Sequence, residues 1–317
     1  MNPALATEVH WRGRSGPSLR ALVGDARVRL DPAGVRAAFG EAIQDGSTCI
    51  AGARRPWLAR PRRAPTGPLR DLLERTCADI VPGTAALALS GGVDSAVLAA
   101  LLRGRVRLYT LDPELPGYSE ADAAQAIADA LGVPLRRIRV GAQDYVDALP
   151  AAIAACEAPL YNLHPVSRHL LAQVVRADGC ELLISGDGAD ELFRGGSGSD
   201  YLPIVGALTR AAGLVARAPF LDPALAVAAD GDKRALRELA CELGVPAAIA
   251  LRPKTPRYAP PVDLGRHWDP AHVAAVAAAL ARTPTRARDA ERVGWTTLSL
   301  FARGFPGLDL SCVASPD

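Results

Sequence analysis

From residue 69 onward the apolar positions of the chain switch repeatedly between two periods. Leu69, Leu72, Leu73 and Cys77 recur at helical spacing, which predicts a helix with one apolar face. The unbroken apolar run Ala86-Leu87-Ala88-Leu89 then reads as a buried strand. It stops at Ser90-Gly91-Gly92, and Ala96, Val97, Leu98, Leu101 and Leu102 return to helical spacing. Residues 106–111 alternate as a second strand. Residues 121–131 form a helical pattern closed by Gly132, a residue suited to a left-handed C-cap. Residues 135–140 give a third strand, 145–156 and 166–177 give helices, and Glu181-Leu182-Leu183-Ile184 gives a fourth strand. Strands alternating with helices predict an α/β fold, a doubly wound parallel sheet followed by a helical C-terminal region. Upstream, Val28-Arg29-Leu30 predicts a short strand. Asp31 and Pro32 then predict an N-cap and first helical position, with Val35, Ala38 and Phe39 as the apolar stripe.

Ligands of such sheets bind beyond the carboxyl ends of the strands. Two glycine-rich turns fall at those ends. In Ser90-Gly91-Gly92-Val93-Asp94-Ser95 a strand turns directly into a helix, so backbone N–H groups point outward as an anion site. The glycines allow close approach of a phosphate, and Ser90 and Ser95 add hydroxyl donors. Asp94 would repel phosphates unless a cation lies between them, which implies Mg2+. The second turn, Ser185-Gly186-Asp187-Gly188-Ala189-Asp190-Glu191-Leu192-Phe193, has the same strand–turn–helix form. Asp190 and Glu191 fall where acids commonly favour a helix N-terminus. Asp94 and Asp190 are nevertheless placed to hold one Mg2+ from two sides.

The 317 residues carry a formal net charge of +2, so no global field draws the chain to nucleic acid. Alanine-rich composition with few aromatics favours helices. No stretch of about 18 uncharged apolar residues predicts a membrane span, and the start of the chain lacks the basic and apolar regions of a signal peptide. Cys49, Cys77, Cys156, Cys180, Cys241 and Cys312 are scattered without a close pair, as in reduced cytoplasmic proteins. Arginines and prolines crowd residues 53–68. That stretch reads as a solvated linker, closing a short N-terminal segment (1–68) ahead of the main domain (69–317).

The spacing Ser-Gly-Gly-x-Asp-Ser, without a Walker lysine, resembles the pyrophosphate-binding loop of ATP pyrophosphatases. Together with the second turn it is similar to the C-terminal synthetase domain of the asparagine synthetase family, which includes β-lactam synthetases and lasso-peptide cyclases. Glu157 precedes the second turn as an acid does in that family. Arg217-Ala218-Pro219-Phe220-Leu221-Asp222, Leu236-Arg237 and Leu251-Arg252-Pro253-Lys254 resemble further family segments in the same order.

The resemblance implies an adenine-nucleotide α-hydrolase-like fold and an AMP-forming carbon–nitrogen ligase. Such an enzyme adenylates a small-molecule or peptide carboxylate with ATP and Mg2+, then couples it to an amine. It implies that Ser90, Gly91, Gly92, Asp94, Ser95, Ser185 and Gly186 bind the nucleotide. Asp94 and Asp190 would hold the metal, with Lys254, Glu157 and Asp187 near the reacting groups. Asp187 departs from the glutamate usual in asparagine synthetases and the tyrosine of β-lactam synthetases. Phe193 is followed by Arg194 rather than directly by glycines. Asn2 stands where the family's glutaminase domain has its cysteine nucleophile, so residues 28–63 read as a remnant of that domain without its chemistry. The nitrogen is then expected from an amine-bearing substrate, from the same molecule, or as ammonia from solution or a partner glutaminase. A second copy or another protein stays open as a partner. A tRNA-modifying ATP pyrophosphatase and a non-catalytic nucleotide-binding subunit are the other readings. The first lacks an RNA-binding region or reactive cysteine pair, and the second is at odds with intact Asp94, Asp190 and Lys254.

Overall fold

The structure, a computed structural model, describes residues 8–40, 46–55, 67–193, 201–222, 225, 232–253, 262–284 and 289–313. Five parallel strands form its central sheet: β1 (Ala85–Ala88), β2 (Arg107–Pro113), β3 (Leu135–Val140), β4 (Leu182–Ile184) and β5 (Val215–Arg217). They lie in the order β3-β2-β1-β4-β5. The chain thus builds outward from β1 to β3, returns, and adds β4 on the other side of β1. This is the expected doubly wound α/β arrangement, and the reversal leaves a crevice between the carboxyl ends of β1 and β4.

The alternation of side chains along each strand divides the interior into two cores. Ala85, Leu87, Leu108 and Ile184 face a cluster shared with α1 (Leu69–Thr76), α2 (Val93–Leu101) and α3 (Ala121–Leu131). Ala86, Tyr109, Ile138 and Leu183 face the opposite way, toward α4 (Ala142–Cys156) and α5 (His164–Ala177). Gly132 closes α3 at φ 65° and ψ 37°, the left-handed cap expected of it. The second turn leads into the short α6 (Ala189–Phe193), and α7 (Tyr201–Ala211) follows. β5 is a strand that the apolar pattern does not announce. Its three residues are too few to display a period, and its place is fixed by pairing Leu182, Leu183 and Ile184 with Val215, Ala216 and Arg217.

Beyond the sheet come α8 (Arg234–Glu242), α9 (Ala247–Ala250), α10 (Pro270–Ala279) and α11 (Asp289–Arg303). This region is helical as expected, with one correction: it ends in a strand, Leu308–Val313, paired in parallel with Val28–Leu30. The Val28–Leu30 strand and the following helix, Pro32–Val35, match the sequence reading. The Asp31 carboxylate accepts hydrogen bonds from the N–H groups of Ala33 (2.8 Å) and Gly34 (3.3 Å). Three short strands, Val9–Trp11, Arg14–Gly16 and Ala53–Arg54, make a separate antiparallel sheet. Arg54 therefore belongs to a strand, and Arg55 is buried, which corrects the start of the stretch expected to be a solvated linker. Residues 56–66 of that stretch lie outside the described residues.

Glu157 joins the N-terminal segment to the sheet domain. It ends α4 in a left-handed conformation, φ 51°. Its carboxylate accepts from Ser18 Oγ at 2.7 Å and from the N–H groups of Leu19 and Arg20 at 2.6 and 2.8 Å. The Arg55 guanidinium lies 3.6 Å away. A buried carboxylate so fully engaged cannot be removed cheaply, because three donors and one cation lose their acceptor together. Glu157→Ala is therefore expected to lower unfolding stability by roughly 2–4 kcal/mol. Proteolysis should then cut the segment 8–55 before the sheet domain. An unchanged denaturation midpoint would show that the carboxylate does not hold the two parts together.

Candidate active site

The crevice between β1 and β4 opens into a cavity of about 570 Å3. Ser90, Gly92 and Asp94 line one side of it, and Ser185, Gly186, Asp187 and Asp190 the other. The two glycine-rich turns therefore face one site, as their shared position at strand ends implied. Gly186 explains how closely they meet. A Cβ there would stand 3.0 Å from both the Asp94 Cβ and the Ser95 backbone nitrogen.

Within the first turn the work is divided. The Ser90 N–H donates to Ser95 Oγ at 3.0 Å, and that hydroxyl donates to the Gly92 carbonyl at 3.2 Å. Ser95 is buried, so it fastens the turn and does not face the cavity. Gly91 does not line the cavity either. Its φ of 68° turns the chain, and a Cβ there would press on Ala123 and Glu120 at 3.0 Å. Gly92 is the N-cap of α2 and has no side chain to offer the helix's first N–H groups, which leaves them available to an anion.

Asp94 and Asp190 stand in the first turns of α2 and α6. They converge, as expected of a pair that shares one cation. A residue the sequence reading passed over occupies their meeting point. Lys233 Nζ donates to both Asp94 oxygens at 2.7 Å and lies 2.9 Å from Asp190 Oδ1. Lys233 holds a left-handed backbone at φ 64°, which costs a non-glycine residue roughly 1–2 kcal/mol. Its signal was its place just ahead of the Leu236-Arg237 segment. Two carboxylates meeting at one point form a donor set that fits Mg2+, which takes one or two carboxylates and completes its shell with phosphate oxygens and water. Among the described residues no group of three or more histidine, cysteine or acidic side chains gathers as a metal site.

Asp187 lies on the cavity wall, held by Arg168 at 2.8 Å and by the Ser185 hydroxyl at 2.5 Å. Lys254 lies outside the described residues, but Pro253, immediately before it, lines the cavity. Arg237 brings that segment in by donating to the carbonyls of Ala250 (2.8 Å) and Arg252 (2.9 Å). Arg252 in turn donates to Glu120 at 2.9 Å and to the Gly91 carbonyl at 3.3 Å. Behind the second turn, Leu221 packs where a Cβ on Gly188 would fall, at 2.4 Å. Glu157 is not brought to the site, because its carboxylate is engaged by the N-terminal segment. Arg194 lies outside the described residues.

A smaller cavity of about 170 Å3 adjoins the first and shares Ala88, Ser90, Glu120, His164 and Arg168 with it. Thr110, Leu111, Tyr145 and Leu171 complete its less polar walls. Among the described residues, Cys49, Cys77, Cys156, Cys180 and Cys241 line neither cavity. Burial pushes the Cys156 thiol up to about 11, so it remains protonated near neutrality.

Residues 69–210 match the family model described as asparagine synthase. Over this stretch the chain is similar to the asparagine synthase family. A provisionally named glutamine-hydrolyzing asparagine synthetase of Mycobacterium bovis is 38% identical over 110 residues, which is 34% of this chain and 17% of that protein. Amidase chry2 of Gibberella zeae is 30% identical over 128 residues, 35% of this chain and 19% of that protein. The matched stretch thus spans less than a fifth of these curated relatives. Among solved structures, NMN synthetase from Francisella tularensis aligns at a TM-score of 0.35 and 18% identity, covering 59% of this chain and 72% of that one. The matched stretch contains both glycine-rich turns, Asp94 and Asp190, while Lys233, Arg237 and Arg252 come from the chain beyond it.

The close approach at Gly186 makes a sharp test of the two-turn geometry. Gly186→Ala must push the second turn off the backbone of the first, and overpacking of this kind costs about 1–3 kcal/mol. Denaturant titration should show that loss. An unchanged midpoint would mean that the turns do not touch as described.

Proposed function

We propose that the chain is an ATP-dependent, AMP-forming amide ligase that activates a carboxylate and couples it to an amine. The observation that carries this reading is the convergence of Asp94 and Asp190, from two glycine turns, on one cationic point beside the open N-terminus of α2. A nucleotide's phosphates fit that corner. Its base fits the smaller cavity, where Leu111, Tyr145 and Leu171 offer flat and apolar contacts. The remaining wall, with Tyr161, Asn162, Asp187 and Leu202, is left for the carboxylate and the amine.

In the proposed reaction a carboxylate oxygen attacks the α-phosphorus and the bond to the β-phosphate breaks, releasing pyrophosphate. The amine nitrogen then attacks the carbonyl carbon, AMP leaves, and the nitrogen loses a proton. Mg2+ held by Asp94 and Asp190 would neutralise charge on the phosphates. The N–H groups of α2 orient the leaving pyrophosphate. Arg168 and Ser185 hold Asp187 at the wall, where its carboxylate can meet the incoming amine. Lys254, next in sequence after the cavity-lining Pro253, would supply positive charge where negative charge develops. The relatives are named for asparagine synthesis and amidase activity, and both names concern amide bonds. Specialised small-molecule or peptide biosynthesis is the setting in which an amine-bearing substrate fits best.

Incubation with ATP and a panel of carboxylic acids is expected to give pyrophosphate exchange into ATP, and AMP once an amine is added. ADP and phosphate as the direct products would overturn the reading. Asp94→Ala and Asp190→Ala should each abolish turnover. Lys254→Ala should lower kcat by on the order of 10²–10³-fold with a smaller change in KM. A near-normal kcat would remove Lys254 from the chemistry.

A further inference from the structure

The point shared by Asp94 and Asp190 holds a cation of the chain's own. Lys233 is 2% exposed. Its ammonium donates to both Asp94 oxygens at 2.7 Å and forms an ion pair with Asp190 Oδ1 at 2.9 Å. Magnesium takes oxygens at about 2.0–2.1 Å. It cannot bridge the same two carboxylates while the ammonium lies between them, because two cations that close repel strongly in a partly buried site. Charge counting gives the same answer. Two carboxylates and one ammonium leave a single negative charge. A divalent ion added to them reverses it to a single positive charge, which asks for further anions.

Those anions are what a nucleotide would bring. We propose that Lys233 is a built-in counter-ion that keeps free divalent cations off the Asp94–Asp190 pair. The metal then enters only with phosphates that give the displaced ammonium a new partner. The inference rests on the nucleotide reading of the site. Local structure supports a purposeful placement. Lys233 sits at the head of α8 in a left-handed conformation. From the next turn of that helix Arg237 holds Ala250 and Arg252, and Arg252 reaches the Gly91 carbonyl of the first turn. Lys233 and the arginine that holds residues 250–252 thus stand within one turn of the same helix.

The test uses Mn2+ as the probe, followed by the loss of its free paramagnetic signal on the purified full chain. Without nucleotide, Mn2+ should stay free over the wild type, and a non-hydrolysable ATP analogue should recruit it. Lys233→Met should bind Mn2+ without nucleotide at least about tenfold more tightly than wild type, since the carboxylates have lost their counter-ion. Adding Asp190→Asn to that variant should remove the gain. Mn2+ should also raise the melting temperature of Lys233→Met and leave that of nucleotide-free wild type unchanged. Lys233→Arg, which keeps the charge, should exclude Mn2+ as wild type does. Unchanged Mn2+ affinity in Lys233→Met overturns the proposal, as does tight binding by nucleotide-free wild type that Asp190→Asn abolishes. The latter needs no variant at Lys233 to fold. Calorimetry with the analogue separates the two readings. If wild type does not bind the analogue at all, the nucleotide reading falls and this inference with it. If the analogue binds but Lys233→Met gains no Mn2+, only this inference falls.

Discussion

Two carboxylates, each at the head of its own helix, are pointed at the same spot, and the site is arranged around that repulsion. Asp94 and Asp190 could not approach one another across the β1–β4 crevice without a cation between them. The structure supplies one in Lys233. The lysine accepts an unfavourable backbone conformation, and the ion pairs offset it. Each glycine turn is also fitted to the other, with Gly186 against the Asp94 backbone. Sheet topology brings the two strand ends side by side, and the cation lets the two acids meet there.

A second set of contacts frames this centre from the rest of the chain. Arg237 and Arg252 draw the segment before Lys254 over the first turn. Leu221 fills the space that Gly188 leaves open behind the second, and Phe220 stacks edge-on against Phe193 at 6.3 Å between ring centres. Segments that are far apart in sequence thus serve the two turns as supports. Arg252 depends on the assembled fold, since it reaches Glu120 and the Gly91 carbonyl more than 130 residues away.

Glu157 shows how position in sequence can mislead about chemistry. An acid at this distance ahead of the second turn invites a catalytic role by resemblance. Here it accepts from the first two N–H groups of the helix Leu19–Val23, whose N-cap is Ser18, and faces Arg55. Its neighbours Tyr161 and Asn162 do reach the cavity, and Thr297 pins the same loop through both backbone groups of Leu160. Glu157 therefore bears on the site through the loop it starts.

Local patterning was enough to mark the doubly wound sheet, four of its five strands, and both glycine turns. The reason is that period and turn chemistry are set by neighbouring residues. The same patterning placed Asp31 as an N-cap and Gly132 as a C-cap, because a cap depends on contacts within a few positions. Tertiary structure alone decided the rest. β5 and the Leu308–Val313 strand exist because a distant strand offers them hydrogen-bond partners. Lys233 became a site residue and Glu157 a clamp through contacts that cross about 140 residues. A lysine carries no local mark of the carboxylates it will meet. Its role is fixed when the chain beyond the sheet folds back over the crevice.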